Sequence, residues 1–269
     1  IDLVERTLDR FAQDLRRVLG GQLEEVVIHG SYVLGDFRPN QGDLDYIVVT
    51  NADLSEATNA RLFALHDDYR AGRTLLLHQL EGTFYPKGFL ATLAPPFVGC
   101  YIGTTRRGWR TITTLQNSYI DLRLAGQCGR RLLGTAVPLY QPSEADILRE
   151  QRATLADQLA AADGIRQLSL GHWMSAAHWC ARTLCYRATG RVVSKGEACR
   201  WARTVVPGGD PRKLLDLAEG MRHPFGTEAV EDWVNVACGQ LLEQVGKALC
   251  EAPAGCPEGT DEANAPSVS

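Results

Sequence analysis

The chain has 269 residues, 45% of them hydrophobic and 22% charged, which is the composition of a globular protein and not of a disordered, collagenous or coiled-coil one. Its 28 basic and 32 acidic residues leave a net charge of −4, so no global basic field exists to hold a polyanion, and nucleic acid is excluded as the main partner. No apolar run reaches the length of a membrane span, so no membrane partner is expected.

In chain order, Leu3, Leu8, Phe11, Leu15, Val18 and Leu19 recur at helical spacing, which predicts a first helix over 2–19 ended by Gly20 and Gly21. Val26, Val27 and Ile28 form a short β-branched run that stops at His29-Gly30-Ser31. A second strand, Leu44 to Thr50, follows the turn signal Pro39-Asn40-Gln41-Gly42. A helix fits Leu54 to Tyr69, and Thr74 to Tyr85 reads as a third strand with Glu81 inside it. From 87 to 114 Gly, Pro and Thr are frequent and periodicity is weak, which predicts an irregular excursion.

Beyond Leu115 the segments 115–133, 143–162, 167–189, 194–205 and 228–250 carry helical periodicity, so a helical bundle is expected to follow the α/β half. The clearest stripe is Val230, Trp233, Val234, Ala237, Leu241, Val245 and Leu249. Domain limits of 1–140 and 141–250 follow, with a disordered tail over 251–269. The eight cysteines show no C-x-x-C spacing and read as free thiols in a reducing cytoplasm, with Cys180, Cys185 and Cys238 as small buried hydrophobes.

The chemistry concentrates in GDLDYIVV. Side chains alternate along a strand, so Asp43 and Asp45 share one face about 7 Å apart while Leu44 and Tyr46 take the other. Two carboxylates that close repel unless a cation lies between them, and hard oxygen ligands suit Mg²⁺, which retains waters and phosphate oxygens in its shell. An isolated D-x-D is weak evidence, but here it follows a strand that ends in Gly30-Ser31. Gly30 lets backbone approach a ligand closely, and Ser31 at a helix start can hold a phosphate.

The stretch HGSYVLGDFRPNQGDLDYIVV resembles the G-S…D-x-D signature of the nucleotidyltransferase superfamily related to DNA polymerase β. Within it the chain is most similar to the aminoglycoside 3″-adenylyltransferases, through LEGT around Glu81, RRLLG ending at Gly134, ARTLCYRATGRVVSKGEACRWA and VEDWVNVACGQLLEQVGK. The resemblance implies a mixed α/β nucleotidyltransferase domain followed by a helical domain, with ATP and acceptor in the cleft between them. It also implies roles: Gly30 and Ser31 on the triphosphate, Asp43 and Asp45 on Mg²⁺, Glu81 as base for the acceptor hydroxyl or as a metal ligand, and Arg182 and Lys195 on phosphate.

Trp109 reads either as a wall of the acceptor pocket or as a loop anchor, and His172 and Trp173 as core residues or as acceptor contacts. Two departures bear on the acceptor. Gly42 stands where the family usually has a serine before the first aspartate, and Leu168 and His172 stand where its adenylyltransferases carry acids for a cationic antibiotic, so a neutral or less charged hydroxyl compound fits as well as a polycationic aminoglycoside. The expected function is AMP transfer from Mg-ATP to a hydroxyl of a small antibiotic-like molecule by a cytoplasmic monomer. The alternatives are modification of a partner protein, as in antitoxin-like pairs, and a nucleotide-binding regulator.

Overall fold

The computed structural model describes residues 2–39, 42–71, 80–91, 97–102, 107–112, 118–134, 141–164, 170–220 and 231–251. The apolar spacing over the first residues yields α1 (Asp2–Leu19), and its buried stripe of Leu8, Phe11, Leu15 and Leu19 lies on a sheet. The chain continues through β1 (Leu23–His29), β2 (Leu44–Thr50), α2 (Glu56–Ala71), β3 (Leu80–Pro86), α3 (Lys87–Leu90), β4 (Phe97–Ile102), β5 (Arg107–Ile112), α4 (Ser118–Cys128) and β6 (Arg130–Gly134). The sheet has six strands in the order β5-β4-β3-β2-β1-β6, mixed because only β2 and β3 run parallel.

Alternation along the central strands sorts the two faces. Val26, Ile28, Leu44, Tyr46, Val48, Leu80 and Phe84 pack against α1 and α2. Val27, Ile47, Val49 and Tyr85 pack on the opposite face with Tyr119, Leu122 and Ala125 of α4. Each fully buried aliphatic or aromatic side chain is worth roughly 1.5–3 kcal/mol, so a one-residue slip in β2 would exchange its apolar face for Asp43 and Asp45. The register that buries Tyr46 is thus the same register that presents the acids on the other face.

The helical half comprises α5 (Glu144–Gly164), α6 (Leu170–Thr189), α7 (Lys195–Val205), α8 (Asp210–Gly220) and α9 (Asp232–Cys250). Small residues at the α6 and α9 seams, among them Ala177, Ala181, Ala237 and Cys238, allow close approach, and Leu214, Leu215, Leu241 and Val245 fill the center. Cys180, Cys185 and Cys238 are buried free thiols, and burial pushes the Cys238 pKa up to about 12. Ile147 of α5 and Tyr186 of α6 join the sheet's α4-side cluster, and Arg123 donates to both Glu144 and the Tyr186 hydroxyl.

Three sequence expectations are corrected. The excursion over 87–114 contains the hairpin β4–β5, paired to the edge of β3; Gly99 in FVGCYI, and Gly108 with Arg107 and Arg110 in RGWRTI, hide the strand period that the neighbor imposes. The helix expected over 115–133 ends at Cys128, and RRLLG is β6, drawn onto the open edge of β1. The short helix α8 was not foreseen. Thr74–Gln79 of the expected third strand, and the tail beyond Glu251, lie outside the described residues.

β6 is tied to α1 by Arg130, whose guanidinium donates to both carboxylate oxygens of Glu5, while the Tyr32 hydroxyl also donates to Glu5. These bonds, the one from Arg130 foremost, hold the Glu5 carboxyl at about 2, below its ordinary 4.5. A lowered pKa means that the unfolded chain takes up the proton first. The stabilization is therefore complete above 4.5 and is lost as pH falls through 4.5 toward about 2. Glu5→Gln is expected to lose it at neutral pH and to show a flatter acid limb in denaturant titrations. Parallel stability–pH curves for parent and variant would contradict this.

Candidate active site

β1 delivers the chain to Gly30, and the helix start expected at Ser31 is a turn instead, closed by Leu34 N–H donating to Gly30 O (3.3 Å) and Asp36 N–H donating to Ser31 O (2.9 Å). Antiparallel pairing sets His29 opposite Asp45, and parallel pairing sets Asp45 opposite Glu81, so Asp45 lies between the two neighbors on one sheet face. Adjacent strands are about 4.8 Å apart, which makes the bases of Asp45 and Glu81 immediate neighbors. Gly82 completes the arrangement: a Cβ there would lie 2.4 Å from the Tyr46 ring and backbone, so glycine lets β3 close against β2.

Gly30 has φ +71°, and a Cβ on it would come within 2.0 Å of Asp45 Oδ2. The residue thus serves two needs, the left-handed turn and room for the carboxylate. Gly30→Ala is expected to displace Asp45 and to strain the turn by about 1–2 kcal/mol. A fall in thermal midpoint together with weakened magnesium-dependent stabilization would be the measured signature, and an unchanged midpoint would speak against it.

A cavity of about 390 Å³ opens over this face. Gly30, Ser31, Asp43, Asp45, Glu81, Arg182 and Lys195 all line it, so the structure gathers these seven sequence-predicted positions in one place. Arg182 comes from the middle of α6. Lys195 opens α7, whose start is set by Ser194, the N-cap that accepts from Glu197 N–H (3.2 Å). The Ser31 hydroxyl stands 3.5 Å from Asp43 O, long for a hydrogen bond.

Other expected positions fall elsewhere. Trp109 is on β5, the outermost strand, opposite Cys100, and its side chain is outside the described set. Trp173 is 4% exposed in the helical core, away from the cavity wall, and His172 sets its ring edge-on to Trp173. Leu168 lies outside the described residues.

The structure also brings in acids that sequence reasoning passed over. Asp121 of α4 and Glu150 of α5 line the cavity, together with Asp36 and Arg38 of the turn. Asp121 stands in the first turn of α4, where an acid is favored by the helix dipole, so its position in YIDLRL gives no separate signal of a site. Glu150 is partly engaged in structure, accepting from Tyr119 N–H (3.0 Å) and Ile120 N–H (3.4 Å) at the start of α4.

Electrostatically the floor of the cavity is under strain. Asp45 keeps some accessible area, but it sits at a concave base where protein displaces most of its water. Burial first, then repulsion from Asp121, Asp43 and Glu81, pushes its pKa well above the ordinary 3.8, with Lys195 opposing. Beside it, burial lowers the pKa of His29, Arg182 adds to that, and Asp121 works against it. Acids crowded in this way fit a hard divalent cation, which would offset their repulsion and share oxygen ligands with phosphate. Among the described residues no three His, Cys, Asp or Glu side chains form a ready-made ligand set.

Residues 8–86 match the sequence profile of the nucleotidyltransferase domain family, over α1 to β3 and both aspartates. The chain carries a nucleotidyltransferase domain. It is an enzyme of the transferase class. Around this nucleotidyltransferase domain the whole fold is similar to the crystal structure of spectinomycin adenyltransferase AAD(9) from Enterococcus faecialis with ATP and spectinomycin, at a TM-score of 0.71. The match has 16% sequence identity and covers 90% of this chain and 99% of that one, so the likeness is one of fold. No curated protein matches the chain in sequence. Among the described residues no helix is long and apolar enough to cross a membrane.

Proposed function

We propose that the chain transfers AMP from Mg-ATP to a hydroxyl of a small antibiotic-like acceptor, an aminoglycoside or aminocyclitol, with release of pyrophosphate, and so confers resistance. A division at about residue 140 into a nucleotidyltransferase domain and a helical domain over 141–250 goes with this reading. The observation that carries it is the convergence of Asp43, Asp45 and Glu81 with Ser31, Arg182 and Lys195 on one cavity.

Nucleotidyl transfer asks a protein chiefly for in-line positioning and for neutralization of charge. Asp43 and Asp45 are the residues that would hold magnesium, and the cation would supply charge neutralization at the triphosphate. Ser31 and the amides of its turn hold phosphate oxygens, and Arg182 and Lys195 hold them from the helical side. Glu81 takes the proton from the acceptor hydroxyl as oxygen attacks the α-phosphorus, and the bond to the pyrophosphate oxygen breaks. The surplus of carboxylates over Arg38, Arg182 and Lys195 on the cavity wall favors an acceptor with amino groups.

The test is incubation of the protein with α-labeled ATP, magnesium and a panel of spectinomycin, streptomycin and other hydroxylated aminocyclitols. A labeled acceptor with equimolar pyrophosphate is the expected product. Binding of ATP without transfer to any member of the panel would overturn the reading.

A further inference from the structure

Gln151 lies on α5 one residue past Glu150, lines the cavity, and is only 3% exposed. Its neighbor's carboxylate is held by two backbone donors of α4, but the Gln151 Oε1 is buried without a hydrogen-bond partner among the described residues. Buried polar groups are nearly always paired, because the water they lose must be replaced. An exception on a cavity wall therefore points to a partner that the protein itself does not supply.

The helix cannot withdraw the side chain to water at small cost. Ile147, one turn earlier, is fully buried in the cluster beneath the sheet, and Arg152, the next residue, donates to Leu249 O of α9 (2.8 Å). Both fix the rotation of α5 and with it the direction of position 151. Thr154 also has a hydroxyl without a partner, but it does not reach the cavity. Of the cavity-lining side chains, Gln151 is the one with an unpaired buried atom among the described residues.

We infer that Gln151 is a specificity-determining residue: its carboxamide oxygen accepts a hydrogen bond from an O–H or N–H group of the acceptor molecule, on the wall built by α4, α5 and α6. This rests on the proposed transferase function and adds to it a contact that selects the acceptor. Being uncharged, the amide discriminates by geometry and donor character and complements the charge selection made by the surrounding acids. An acceptor with a methyl or ether at that position would leave the amide unpaired and be rejected, since a site built to meet a donor penalizes its absence.

Gln151→Met, near-isosteric and without hydrogen-bonding capacity, and Gln151→Glu, which keeps the accepting oxygens, are compared with the parent using spectinomycin and streptomycin, with ATP binding and thermal midpoints measured alongside. The expected result is a KM for the acceptor raised about tenfold or more in Gln151→Met, restored in Gln151→Glu, with kcat and the KM for ATP within about twofold of the parent. An acceptor KM unmoved in Gln151→Met, whatever the change in midpoint, overturns the assignment and leaves the transferase reading standing. ATP binding by the parent with no transfer to either antibiotic overturns both.

Discussion

Asp45→Asn is expected to abolish AMP transfer, lowering kcat/KM by at least about 10³-fold, because an amide cannot share a divalent cation with Asp43 and leaves the triphosphate charge uncompensated. The same substitution is expected to leave the fold intact or to raise its thermal midpoint in the absence of magnesium. Asp45 sits among Asp121, Asp43 and Glu81, and its raised pKa measures how unfavorable the ionized form is there. A carboxyl with a raised pKa binds its proton more tightly in the folded state. The parent is therefore most stable, as regards this group, below the ordinary 3.8, and loses stability as pH rises from there through the raised value. Magnesium should reverse the loss in the parent, by an amount that grows with pH, and should do little for the variant. Thermal melts with and without magnesium, taken across acidic to neutral pH, read all of this directly. Parental turnover in Asp45→Asn would remove the metal-holding role.

Glu81→Gln is expected to lower kcat by about 10²–10⁴-fold while the affinity for ATP changes little, the size usual for loss of a positioned general base. The substitution is nearly isosteric, and Gly82 and the parallel register with β2 still place the side chain beside Asp45. A parallel loss of magnesium affinity would assign Glu81 to the metal instead, and an unchanged kcat would exclude it from the reaction.

Much of the α/β half was legible before folding because its signals are local. The strand run Val26-Val27-Ile28, the glycine that ends it, and the alternation of Leu44 and Tyr46 against Asp43 and Asp45 are all short-range patterns, and the structure keeps each of them. Glu81 could be placed on the next strand for the same reason. The hairpin β4–β5 and the strand β6 were not legible, since their residues adopt strand geometry only where β3 and β1 offer an unpaired edge. Apolar spacing through 115–133 fits a helix as far as Cys128 and says nothing of the partner waiting beyond it.

Within the candidate site the division runs along the same line. Asp43, Asp45, Glu81 and Ser31 belong to the segment with a recognizable period and spacing, whereas Asp121 and Gln151 sit on helices where a single polar residue carries no pattern. Their significance comes from which way α4 and α5 are turned when Tyr119, Leu122 and Ile147 bury themselves against the sheet. The nucleotidyltransferase character was legible in the sequence as a family resemblance, and the shared strand face of Asp43 and Asp45 followed from the sequence alone, because alternation along a backbone is fixed by covalent geometry. Only the tertiary structure decided that Asp121 and Gln151 look into the same space, and that Trp173 does not, because the rotation of a helix about its axis is settled by burial against its neighbors.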